Sequence, residues 1–228
     1  MTTPALMTVL LLALAGPMAA PQAPTPAAPL APDPSWKALG PSLWLDPAAR
    51  TLHLQARVCL REGDLEHLLC LERSKEHESI LVTDARPRAI HAGLLAIGAK
   101  VGHPVRFDPK FEPPAGSPIA IEVRWTAPDG TPRAADARTW VKDHRAGTGL
   151  PNDWVFAGSL LIPGETPDDP PVYAADAGDL ITVANFTGAI LDVPLESSAS
   201  DASRSYAANT DALPPLGTRV WLVLKVRP

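Results

Sequence analysis

From residue 43 onward the apolar positions recur mostly in twos. Leu43-Trp44-Leu45 predicts a short strand, closed by the turn Asp46-Pro47-Ala48-Ala49. Across residues 51–60, Leu52, Leu54, Ala56 and Val58 fall on one face and His53, Gln55 and Arg57 on the other, the period of a half-buried strand. Arg61-Glu62-Gly63-Asp64 reads as a turn and residues 65–71 as a strand running back, so this stretch predicts an antiparallel hairpin. Residues 77–83 form another strand, with Ile80-Leu81-Val82 its buried end. The period then changes. Pro87 suits the first position of a helix, where its missing N–H leaves no bond unmade. Ile90, Leu94 and Ile97 make one apolar seam, and Gly98 reads as the stop.

Beyond the helix the pattern returns to strands: 105–107, 119–126, 133–142, 154–162, 180–186 and 218–226. Residues 163–171 read as a proline-acid loop and 197–205 as a polar one. The fold class is therefore α+β: a β-rich single domain of about nine strands, in mixed or antiparallel sheets, with one helix at about 87–97. No repeat of 20–50 residues is present.

The first forty residues are different. Residues 5–15 are eleven uncharged, mostly apolar residues, short of the ~20 that a bilayer-spanning helix needs and suited to a signal-peptide core. Ala13-Leu14-Ala15 resembles a cleavage signal, although no Lys or Arg precedes the run. Residues 17–34 hold seven prolines among alanines, a composition that favours extended polyproline II chain. The expected organisation is a signal peptide over 1–20, a Pro/Ala-rich tether over 21–40 and one domain over 41–228. Export to the periplasm or the extracellular space follows, with no stable membrane span after leader cleavage.

Composition narrows the function only a little. The net charge is -5, and Lys and Arg are interleaved with acids, which argues against nucleic acid as a partner. Partners are otherwise unknown, and the residues name no cofactor. Two cysteines in an exported chain invite a disulfide. The expected hairpin register, however, offsets Cys59 and Cys70 by four residues, about 13 Å at ~3.3 Å per residue. A disulfide needs Cα atoms within about 7 Å. Both thiols are expected to be free, with no disulfide.

Two polar clusters carry the candidate chemistry. Lys75-Glu76-His77-Glu78-Ser79 stands immediately before an aliphatic strand. In extended chain His77 and Ser79 share a side, as a base and a proton donor would, with Glu78 as the orienting carboxylate. The plain alternative is a solvated loop leading into an edge strand. Asp192, Glu196, Ser197 and Ser198 follow a buried strand. With Lys75 they suit hydrogen bonds to a polar ligand, and carboxylates beside hydroxyls also suit a hard cation, although a turn or capping role is the more ordinary one for any one of them. His91 reads as a core-edge histidine whose nitrogens find partners in the fold. His67, Cys70 and His77 as zinc ligands lack the four-ligand spacing, so no metal site is assigned.

Several stretches resemble the YdjY-domain family, small exported bacterial proteins best represented among planctomycetes. They are Val58-Cys59-Leu60-Arg61-Glu62-Gly63, residues 75–79, His91-Ala92-Gly93-Leu94-Leu95, and Asp153-Trp154-Val155-Phe156-Ala157-Gly158-Ser159. Gly178-Asp179-Leu180-Ile181, Asn185-Phe186, Leu191-Asp192-Val193-Pro194, Glu196-Ser197-Ser198 and Asn209-Thr210 continue it. The resemblance implies no established activity. Ferredoxin-like labels attached to relatives do not fit, because an iron–sulfur cluster wants four thiolates and this chain has two. The first expectation is thus an uncharacterised domain of this type that binds a small ligand or a partner. The second is a hydrolase-like enzyme using His77, Glu78 and Ser79. Thiol redox chemistry comes last, since no C-x-x-C is present.

Overall fold

The computed structural model describes residues 31–164, 166, 168–197 and 205–227. Its main sheet holds eleven strands: β1 (Lys37–Gly40), β2 (Leu43–Asp46), β3 (Thr51–Val58), β4 (His67–Leu71), β5 (Ser79–Thr83), β6 (Pro118–Thr126), β7 (Pro132–Asp136), β8 (Trp154–Phe156), β9 (Ile181–Thr182), β10 (Leu191–Asp192) and β11 (Arg219–Val226). Eight of them close a ring in the order β3, β11, β6, β8, β10, β9, β4, β5 and back to β3. Closure removes the unpaired edges that an open sheet exposes. Two strands are shared between the ring and its flaps. β3 pairs β2 along residues 51–54 and β5 at residues 57–58. β6 pairs β8 at residues 118–119 and β7 along 122–126. The sheet is mixed, with β4–β5 and β9–β10 parallel.

The period-2 pattern explains the core. Leu54, Leu222 and Val123 sit side by side across β3, β11 and β6, and the neighbours of each two residues along are also buried, apart from the half-buried Trp125. The opposite face of β3 is covered as well. Trp36 stacks on His53 with ring centroids 3.7 Å apart, and both meet the edge of Trp221. Among the described residues, contacts with the domain reach back at least to Trp36, inside the stretch that composition assigns to the tether. The expected leader, and the expected tether as far as residue 30, lie outside the described residues. Helix α1 (Pro87–Ala96) starts at its proline and buries Ile90 and Leu94. Gly93 lies so close to the core that a Cβ there would be 2.5 Å from Leu52 Cδ1.

Three sequence expectations need correction. The chain has more strands than about nine: besides the main sheet, residues 101–103 pair 115–116, 141–143 pair 206–208, and 161–162 pair 172–173. Two-residue pairings carry too little pattern to be read. The expected strand over 154–162 stops at Phe156, because Gly158 and Ser159 both have positive φ and turn the chain. The expected hairpin of 51–60 with 65–71 does not form. β5 lies between β3 and β4, and residues 61–64 are drawn away to 207–213 by Ala208 N–H to Gly63 O (2.9 Å) and by Arg61 to Thr210 O and Leu213 O. Cys59 and Cys70 are free thiols in this structure. One strand separates theirs, and Cys59 lies level with Ile80 while Cys70 lies level with Val82, so the Cα atoms stand about 12 Å apart at ~4.8 Å per strand spacing and ~3.3 Å per residue.

Candidate functional site

Parallel neighbours need a crossover, usually a dozen residues or more. The β4–β5 connection has only residues 72–78, which run back along the two strands. The Glu76 carboxylate accepts from Arg73 N–H, Ser74 Oγ donates to Leu71 O, and residues 76–78 close a 3₁₀ turn. This return path lays the Lys75–Ser79 segment beside the start of β4. Glu66 N–H donates to Glu78 O at 3.1 Å, and His67 stands opposite Ser79.

On the other side of β4 lies the Gly178–Phe186 segment. Val183 and Ala184 N–H both donate to Glu66 O. Gly178 has φ +114, and a Cβ there would sit 2.4 Å from Ser74 Oγ, so glycine permits both the turn and the close approach. The next residue, Asp179, then faces two donors. His67 Nε2 is 2.9 Å from Asp179 Oδ1, and Lys75 Nζ is 2.6 Å from the same oxygen. Phe186 completes the group: its ring stacks on His67 at 5.2 Å, and Lys75 Nζ lies 4.8 Å from its centroid. The Lys75 ammonium is thus held between a carboxylate and an aromatic face, with the side chain 25% exposed.

The electrostatics follow from burial. Burial holds the His67 imidazole below its usual value, against the opposing pull of Asp179. Burial alone would raise Asp179, but the hydrogen bonds from His67 and Lys75 outweigh it and keep the carboxyl ionised, below its usual value. A carboxylate only accepts, so His67 Nε2 carries the proton. His67 Nδ1 then presents a lone pair, buried and without a hydrogen-bond partner. Such a group costs about 1–3 kcal/mol unless something engages it. A ring nitrogen of His67 and one carboxylate oxygen each from Glu66 and Glu78 all lie within 4.8 Å of one another.

The residues singled out in the sequence separate here. Lys75 and Glu78 belong to this cluster. His77 points outward, 77% exposed, with Nε2 3.6 Å from Glu78 Oε2. Ser79 is fully buried, and its hydroxyl donates to Leu81 O at 2.8 Å. The 3₁₀ turn is what splits the pair, since only extended chain sets His77 and Ser79 on one side. Asp192 is buried one layer away. Its Oδ1 accepts from Thr182 Oγ1 (2.8 Å), Val193 N–H (2.7 Å) and Asn185 Nδ2 (3.3 Å), while Oδ2 has no partner. Burial pushes this carboxyl up to about 7. Ser197 is tied in through its N–H to Asn185 Oδ1 and its hydroxyl to Val183 O. Glu196 is exposed, and Ser198 lies outside the described residues. One stretch, residues 179–186, serves both groups: Asp179 and Phe186 face His67, and Thr182 and Asn185 face Asp192.

Sequence reasoning missed Asp179 and Phe186 as partners of Lys75, and Glu66 as a neighbour of His67 and Glu78. Asp179 and Phe186 stand in stretches singled out by the family resemblance, which was the available signal.

A family model for the YdjY domain matches residues 43–225. The chain belongs to the YdjY-domain family. That match covers the whole closed ring and both polar groups of this YdjY domain. Neither a curated protein nor a solved structure matches the chain. Among the described residues no helix is long and apolar enough to cross a membrane.

A concavity of about 420 Å³ lies elsewhere, between α1 and residues 158–161 of the YdjY domain. Tyr173 OH donates to Gly158 O, so it accepts from His91 Nδ1 at 2.8 Å. His91 therefore finds its partner within the fold. The walls there are mostly apolar, from Val101, Leu160 and Leu161.

Proposed function

We propose that this YdjY domain is an exported, periplasmic or extracellular binding domain that holds a small polar ligand at the Lys75–Asp179 cluster. The observation that carries this reading is the convergence of Lys75, Glu78, His67 and Asp179 around one partly open position. A charged donor, carboxylates and an aromatic face are what recognition of a polar ligand requires. The hydrolase reading needs His77 and a reachable Ser79 hydroxyl together. The outward histidine and the buried hydroxyl bonded to Leu81 O favour binding instead. Thiol redox chemistry has the least support: burial above all pushes the Cys59 thiol up to about 12 and raises Cys70 as well.

Native mass spectrometry of the protein purified from its own compartment tests the proposal. The wild type should carry a substoichiometric to stoichiometric organic adduct, and Lys75→Met should lose it. An organic adduct equally retained by Lys75→Met, or none in the wild type, overturns the proposal.

A further inference from the structure

We infer that the ligand of this site includes a divalent first-row transition-metal ion, held by His67 Nδ1 and the carboxylates of Glu66 and Glu78. This rests on the binding reading above and names its ligand class.

Three features point to a metal. The first is the donor set. One imidazole and two carboxylates, with positions left for water or a second ligand, suit Zn²⁺, Mn²⁺ or Fe²⁺, whereas Mg²⁺ and Ca²⁺ prefer oxygen alone. The second is His67 itself. Its ring is fully buried, its Nε2 is engaged by Asp179, and its Nδ1 has no hydrogen-bond partner. A carboxylate behind a histidine fixes the tautomer and the ring direction in the way metal sites do. Here Phe186 stacks on the same ring and holds its plane. The third is the spacing. A ring nitrogen of His67 and one carboxylate oxygen each from Glu66 and Glu78 lie within 4.8 Å of one another. Ligands on a tetrahedron with bonds of about 2.0–2.2 Å stand about 3.4 Å apart, so the side chains need to close by up to about 1.4 Å. The backbone supporting them is already paired: Glu66 N–H bonds Glu78 O, and β4 and β5 run parallel from His67 and Ser79. The site thus joins two residues at the head of β4 to the last residue of the crossover. Lys75 stays bonded to Asp179 and takes no metal-binding role.

The test is a Zn²⁺ titration of the chelator-stripped full chain, read by calorimetry and by metal content after gel filtration, with Mg²⁺ as a competitor. One saturable Zn²⁺ per chain is expected, undisturbed by millimolar Mg²⁺. Glu78→Gln and Glu66→Gln should each weaken it at least tenfold. Asp179→Asn should weaken it about 10–100-fold by misorienting His67. Because His67 is buried, these isosteric variants, checked for an unchanged circular dichroism spectrum, stand in for its removal. Zn²⁺ binding that ignores Glu66→Gln and Glu78→Gln overturns the inference. A Lys75-dependent organic adduct on a protein that takes no Zn²⁺ overturns it while leaving the binding reading intact. A protein that retains nothing and takes no Zn²⁺ overturns both.

Discussion

Asp192 offers the sharpest quantitative test of the fold around the site. Its carboxyl is fully buried, with three donors on Oδ1 and none on Oδ2, and burial raises it from an ordinary 3.8 to about 7. The sign follows from proton counting. Between these two values the folded chain keeps a proton that the unfolded chain has lost, so stability falls as pH rises through this window. Below about 4 both states are protonated, and above about 7 both are ionised, so the contribution is flat outside it. At about 1.4 kcal/mol per decade, the three decades amount to roughly 4 kcal/mol, a large share of a typical 5–15 kcal/mol. Asp192→Asn removes the titration and keeps the acceptor for Thr182, Asn185 and Val193. Its amide nitrogen falls where Oδ2 has no partner, which adds a pH-independent cost of about 1–3 kcal/mol. Urea unfolding of both proteins from pH 4 to pH 8 measures the difference, in which all other titrating groups cancel. The variant should gain on the wild type by roughly 4 kcal/mol across that range. A difference that stays constant with pH would refute the buried carboxyl network.

Other consequences are as definite. Ser79→Ala should cost about 1 kcal/mol of stability by deleting the bond to Leu81 O, and should leave any retained adduct in place; loss of the adduct would return the hydroxyl to the site. Gly178→Ala should cost about 1–3 kcal/mol, since alanine must adopt φ +114 with its Cβ 2.4 Å from Ser74 Oγ; an unchanged urea midpoint would contradict the packing of Asp179 against the crossover. Both thiols should resist a disulfide reagent at pH 8 in the native protein and react as two per chain once unfolded without reductant. Rapid native labelling, or fewer than two thiols after unfolding, would count against the half-buried position of Cys59 and the buried position of Cys70.

The sequence made the long strands and the helix legible because each repeats its period several times. Residues 119–123 alternate in burial as read, residues 51–58 and 219–226 form strands as read although their opposite face is covered as well, and Pro87 and Ile97-Gly98 bound the helix within a residue. The pairing of strands was not legible where it is nonlocal. A turn signal at Glu62-Gly63 looks the same whether the chain folds back or crosses to Ala207 and Thr210, and only the closed ring decides. The candidate site was half visible for the same reason. Lys75 and Glu78 announce themselves in a dense polar run. Glu66, His67 and Asp179 are single polar residues at the ends of apolar strands, and they become a cluster only when β4 lies between β5 and β9. His77 and Ser79 looked paired because period-2 reasoning assumes extended chain, and the short parallel crossover forces a 3₁₀ turn there instead.

Hydrogen exchange compares the polar cluster with the concavity beside His91 in one experiment. The protein as isolated from its own compartment is measured beside the same protein after exhaustive dialysis against a chelator in high salt. If the cluster around Lys75, His67 and Asp179 is the binding site, dialysis should speed exchange in residues 66–79 and 178–186 and leave the rest of the barrel unchanged. Exchange that is identical before and after, or that changes only in residues 91–101 and 158–173 beside His91, would contradict the account.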